Sequence, residues 1–116
     1  MPGTLVFYLV PVKNMEAARP FYRDVLGLEE SWREGESTTG FKLPGSDVEL
    51  MVDEVAGVEF DAAGPVFLIE SVDEFYALNK EQIIFVGEPG ETPDGKIVAA
   101  RDDSGNGIYF TDQSKS

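Results

Sequence analysis

One layout occurs twice along this 116-residue chain, and that repetition limits the fold more than any other feature. Leu5-Val6-Phe7-Tyr8-Leu9-Val10 is dense in β-branched and aromatic residues, as a strand covered on both faces would be. Asn14 then offers a side-chain oxygen to the free N–H groups of a helix start. Met15, Ala18, Tyr22, Val25 and Leu26 recur at helical spacing and predict one apolar stripe. Pro20 deletes an intrahelical hydrogen bond, which predicts a kink or a tight first turn. Gly27 tolerates a left-handed backbone and ends the helix. Three strands are predicted next, at Leu28–Arg33, Thr38–Leu43 and Val48–Val55. Gly35, Pro44-Gly45 and Ser46-Asp47 supply the turns.

The same order returns from Pro65. Pro65–Glu70 reads as a strand, and Ser71-Val72-Asp73-Glu74 as a capping box opening a short helix with Phe75, Tyr76 and Leu78 on it. Ile83–Val86, Lys96–Ala100 and Gly107–Thr111 complete the second set of strands. Pro89-Gly90, Pro93-Asp94-Gly95 and Ser104-Gly105-Asn106 separate them. Ala56–Gly64, with its small residues, reads as a linker. The prediction is a single α+β domain of two βαβββ modules, curved mixed sheets around a cleft: module one 1–56, linker 56–64, module two 65–112 and a tail 113–116. Units of about fifty residues that share a core do not fold alone, and 42% apolar residues in 116 suffice for one such core.

Charge and missing residue types exclude several functions. Nine basic against twenty-two acidic side chains give a net charge of −13. That field repels phosphates and anionic membranes and favours cationic partners, although acidity also simply keeps a small protein soluble. Neither nucleic acid nor membrane is therefore expected as a partner. With no cysteine and no histidine there is no disulfide, no thiolate and no Ser/His or Cys/His pair. The apolar run Leu5–Val12 lacks a preceding basic residue and is too short to span a bilayer, so it reads as a core strand and the expected location is cytoplasmic. No glycine-rich phosphate loop follows a strand; Gly87-Glu88-Pro89-Gly90 reads as a turn.

Two segments resemble the vicinal oxygen chelate superfamily, which includes glyoxalase I, extradiol dioxygenases and bleomycin-resistance proteins. Val12–Leu28, with Phe21-Tyr22-Arg23-Asp24-Val25-Leu26-Gly27, is close to its strand–helix–"FYxxvLG" signature. Asp102-Asp103-Ser104-Gly105-Asn106-Gly107-Ile108-Tyr109-Phe110 is similar to the "DPDGN" turn before its last strand. The resemblance implies paired βαβββ modules around a cleft, commonly in a homodimer. In metal-dependent members the ligands come from the first and last strands of each module. Aligning the motifs puts Phe7, Glu49, Pro65 and Tyr109 at those places, with Val66 replacing Pro65 if the strand slips by one residue. Only Glu49 is a good ligand for a divalent cation. No metal and no cofactor are therefore expected, and glyoxalase I or dioxygenase activity is not.

The same alignment implies a cleft lined by Phe7, Leu9, Glu49, Met51, Phe67 and Tyr109, with Trp32 and Phe41 either capping it or filling a gap between sheets. Such a surface suits a small aromatic ligand, and a cationic one gains from Glu49 and from ring faces. The implied function is metal-free sequestration, as in bleomycin-resistance proteins. Two alternatives stand beside it. One is a metal-independent lyase or isomerase, with Glu49 as general base and Tyr109 steadying an oxyanion. The other is an unconventional metal site built on Glu49 and displaced acidic residues. Phe7, Phe67 and Met51 also read as plain core or dimer-interface residues, and Glu49 as a solvated strand carboxylate. The acidic pairs Glu29-Glu30, Asp53-Glu54 and Asp102-Asp103 are expected in solvated turns or strand ends.

Overall fold

The computed structural model describes residues 3–55 and 57–115. Eight strands form one open mixed sheet in the order β2-β3-β4-β1-β5-β8-β7-β6. They are β1 (Thr4–Val12), β2 (Glu30–Glu34), β3 (Thr38–Lys42), β4 (Glu49–Glu54), β5 (Gly64–Leu68), β6 (Ile84–Glu91), β7 (Lys96–Arg101) and β8 (Gly107–Thr111). Each half closes on a parallel pair, β1 with β4 and β5 with β8. The halves join through β1 and β5, which run antiparallel at the centre of the sheet. Both predicted modules are thus present, and they pair within one chain.

Each module places one helix on the outer face of its strands. Helix α1 (Met15–Pro20) starts at Asn14, whose Oδ1 accepts from the N–H groups of Glu16 and Ala17 at 2.9 and 3.4 Å. Pro20 has no N–H to donate, and the helix widens directly after it into a π turn over Phe21–Val25, where the Leu26 N–H reaches back to the Phe21 carbonyl. The wider turn rotates the end of the predicted stripe outward. Met15, Ala18 and Tyr22 pack over Phe41 and Val52, but Val25 and Leu26 are 73% and 53% exposed. Helix α2 (Val72–Asn79) is capped by Ser71, whose Oγ accepts the Glu74 N–H at 3.2 Å, and packs Val72 and Phe75 against Val98 and Phe110.

Strand boundaries differ from the prediction mainly at β6. Gly87-Glu88-Pro89-Gly90, read as a turn, lies inside this strand as an irregularity between Val86 and Gly90. Gly87 there has φ +79°, so a backbone reversal common in turns serves instead to bulge an edge strand. The linker also holds structure: residues Val58–Phe60 form one 3₁₀ turn.

Asp112, just past β8, is 3% exposed and joins three segments. Its Oδ2 accepts the Val72 N–H at 2.7 Å at the start of α2. Its Oδ1 accepts the Lys96 N–H at 2.9 Å, together with the Ser114 hydroxyl at 2.8 Å and N–H at 3.2 Å. The acidic pair Asp53-Glu54 is likewise not simply solvated. Thr38 donates its hydroxyl to Asp53 at 2.6 Å, and Glu54 accepts the Met15 N–H at 2.9 Å, fixing the start of α1.

Candidate functional site

Alternation along paired strands assigns side chains to the inner or the outer face wherever no bulge intervenes. Glu49 pairs with Phe7, Phe7 with Val66, and Val66 with Tyr109, so these four form one row across β4, β1, β5 and β8. The third place of the row is therefore Val66, not Pro65: the β1–β5 register sets Val66 opposite Phe7, a slip of one residue from the alignment first expected. That single step turns Val66 and Leu68 inward and sends Phe67 outward, where it stacks on Phe110 beneath α2 with ring centroids 6.0 Å apart. Phe67 is thus not a cleft residue. Phe41 is not one either. It pairs with the outward Leu50, is fully buried, and lies 5.6 Å from the Tyr22 ring under α1.

Trp32 does face the cleft. An irregularity in β2 between Glu30 and Trp32 brings the indole opposite Gly40, and the indole lies flat over that glycine. A Cβ at position 40 would meet its ring at 2.2 Å. The indole N–H donates to Glu49 Oε1 at 2.8 Å, and the Phe7 ring meets it edge-on at 5.6 Å. Glu49 thus points to the inner face, with one carboxylate oxygen already engaged.

A cavity of about 470 Å³ opens on this face. Phe7, Trp32 and Met51 wall it from module one, and Val66, Leu68 and Ile97 from module two. Glu34 on β2 and Asp94 in the β6–β7 turn both reach its rim. In a flat sheet those elements would lie about 30 Å apart at the usual strand spacing, so the sheet is curled into a trough. Leu9 and Tyr109 sit on the same face but are wholly buried, below the accessible surface. Of the eight residues expected in the cleft, the structure brings six to one face, and three of these (Phe7, Trp32 and Met51) wall the open space.

Tyr109 is buried because the linker returns across it. Phe60 stacks on its ring at 5.5 Å and 19°, and its hydroxyl donates to the Ala62 carbonyl at 2.6 Å. Burial pushes the phenol pKa up. Arg101 lies 5.8 Å from the same ring and donates to the carbonyls of Val58 and Glu59 at 2.9 and 3.2 Å and to Asp61 at 3.1 Å. An acid and a hydroxyl acting on one substrate need to converge. Glu49 and Tyr109 instead stand three strands apart, about 14 Å along the sheet, and the hydroxyl is committed to the linker. The predicted pairing of these two residues as base and oxyanion donor is not formed.

Sequence reasoning missed Phe60 and Arg101. The signal for Phe60 was a lone aromatic among small residues in Val58-Glu59-Phe60-Asp61-Ala62-Ala63. Arg101 gave none, since a strand-end arginine is ordinarily solvated.

The row also decides how well a metal would fit. Phe7 and Val66 offer no donor atom, the Tyr109 hydroxyl is spent, and one carboxylate is too few for a divalent cation. Among the described residues no group of three or more His, Cys, Asp or Glu converges. Neither the family's usual ligand positions nor an alternative set built on Glu49 supplies a fitting site.

Paired βαβββ modules, a through-sheet seam and an inner trough define the class of two-module cleft proteins. This chain belongs to the glyoxalase/bleomycin resistance protein/dioxygenase superfamily, whose family model matches residues 4–110. No curated protein matches it. Among solved structures, NAD-dependent benzaldehyde dehydrogenase from Legionella pneumophila is 18% identical with a TM-score of 0.73, the match covering 92% of this chain and 97% of that one. A glyoxalase/bleomycin resistance protein/dioxygenase superfamily member from Vibrio splendidus 12B01 is 17% identical at 0.65, covering 94% and 99%. Methylmalonyl-CoA epimerase from Mycobacterium tuberculosis is 15% identical at 0.62, covering 94% and 87%. At such identities the likeness concerns the fold alone. No helix among the described residues is long and apolar enough to cross a membrane.

Proposed function

We propose that this protein binds and sequesters a small aromatic ligand, cationic ones included, without a metal. The observation that carries this reading is the trough of about 470 Å³ walled by Phe7, Trp32 and Met51, where the row through Phe7 holds one carboxylate, Glu49, and no chelating set. A volume of that size suits a compact organic molecule. Ring faces contribute about 0.5–2 kcal/mol toward a cation; Glu34 and Asp94 at the rim favour a cation, and the Arg33 that lines the cavity beside them is paired with Glu30. Calorimetric titration with benzylammonium and naphthylmethylammonium tests the reading. Saturable binding is expected, weakened about tenfold by Trp32→Ala, which corresponds to about 1.4 kcal/mol. Flat titrations up to millimolar concentration across such a panel would remove it.

We also propose a homodimer. The outermost strands, β2 and β6, each have one edge unpaired within the chain, and open edges are protected in native proteins by pairing or cover. Light scattering after size exclusion should give twice the monomer mass at micromolar concentration. A monomer mass there would count against this assembly.

A further inference from the structure

The geometry points to Phe60 as the residue that fixes how long a ligand the trough admits: its ring fills, from within the chain, an aromatic subsite on Tyr109. The argument rests on the binding role proposed above and extends it to ligand length.

Tyr109 belongs to the same row as Phe7 and Glu49, so its ring is part of the trough floor. It has no exposed surface, and the group stacked on it is Phe60, near-parallel at 5.5 Å. That is the offset arrangement in which a planar ligand would meet a tyrosine. Phe60 itself is only half-buried. It packs against the cluster of Leu9, Val66, Ala99 and Tyr109, on which Phe7 and Met51 also pack, and Phe7, Met51 and Val66 wall the open cavity. The ring thus lies one layer behind the Val66 wall of the cavity rather than in its lining, and its removal would open space on Tyr109 next to that wall.

Several contacts hold the linker in this place. Arg101 engages two linker carbonyls and Asp61, and the Tyr109 hydroxyl engages Ala62. Gly107 leaves room for the return: a Cβ there would approach the Ala62 carbonyl and the Tyr109 hydroxyl, each at 3.0 Å. None of these contacts involves the Phe60 ring. Shortening that side chain should accordingly leave the linker backbone fastened and vacate the subsite alone. Because the hydroxyl remains committed to Ala62, the vacated subsite takes an apolar aromatic ring and offers no polar anchor.

Two measurements on Phe60→Ala test this. In the first, toluene is added during thermal unfolding. A compound that fills a hole in the folded state raises the melting temperature by mass action, so toluene should raise that of the variant clearly more than that of the wild type, whose open trough can itself take a single ring. Equal shifts in both proteins, or none in either, would overturn the subsite. In the second, calorimetry compares 4-phenylbenzylammonium with benzylammonium. The two-ring to one-ring affinity ratio should rise at least tenfold in the variant. An unchanged ratio, with benzylammonium still bound, would overturn the role in ligand length. Should the wild type bind neither amine, the sequestration role falls and the length role with it, while the toluene difference still decides whether the subsite exists. Phe60→Leu, which also removes the ring, replaces the alanine variant in both arms if that one fails to fold.

Discussion

Asp112→Ala is expected to lower the unfolding free energy by about 2–3 kcal/mol, because it strands the buried Val72 N–H and three part-buried donors at once. The carboxylate satisfies the N–H groups of Val72, Lys96 and Ser114 and the Ser114 hydroxyl, and a buried donor left without an acceptor costs about 1–3 kcal/mol. For a domain whose whole stability is about 5–15 kcal/mol, that loss is a large share. Urea unfolding followed by circular dichroism measures it; a change below about 1 kcal/mol would mean that water replaces the carboxylate at little cost. The pH dependence gives a second reading. Burial pushes the Asp112 carboxyl upward, but the donors around it outweigh that and hold its pKa below the ordinary value. A depressed folded value means that the contribution is fully present above the unfolded carboxyl pKa of about 3.9. It is lost as pH falls through the lower folded value. The difference between wild type and variant should therefore be constant at neutral pH and shrink in strong acid.

Gly64→Val is expected to cost about 3 kcal/mol or to abolish folding, through overpacking. The backbone of Gly64 has an ordinary conformation, so the demand is for space. A Cβ at this position would lie 1.9 Å from the Gly107 carbonyl oxygen, deep within van der Waals contact, and the obstacle is backbone. β5 and β8 would have to separate beside the Val66–Tyr109 pair, which also loosens the floor of the trough. Expression with a thermal melt reads the effect. A variant melting within a few degrees of wild type would show that the strands yield there easily.

How much of this was legible beforehand depended on whether the signal was local. Asn14 and Ser71 announced both helix starts, since a cap needs only its neighbours. The two-module layout followed from the order of those caps and the strand patterns. Faces were harder to read. Val66 and Phe67 are both good strand residues, and only the pairing with β1, over fifty residues away, decides which one turns inward. Phe41 and Trp32 posed the same problem on neighbouring strands, settled by an irregularity in β2 that leaves no mark in composition. The cover over Tyr109 was least visible, because it joins a linker aromatic to an arginine some forty residues later.

The seam between the modules is a single antiparallel strand pair, and nothing in its chemistry distinguishes β5 of the same chain from β5 of another copy. What favours the intrachain partner is the short connection, pinned by Arg101 over Val58–Asp61. Strand exchange between copies would have to unfasten that segment and uncover Tyr109 first. The latch is thus a barrier to domain swapping as much as a piece of the trough.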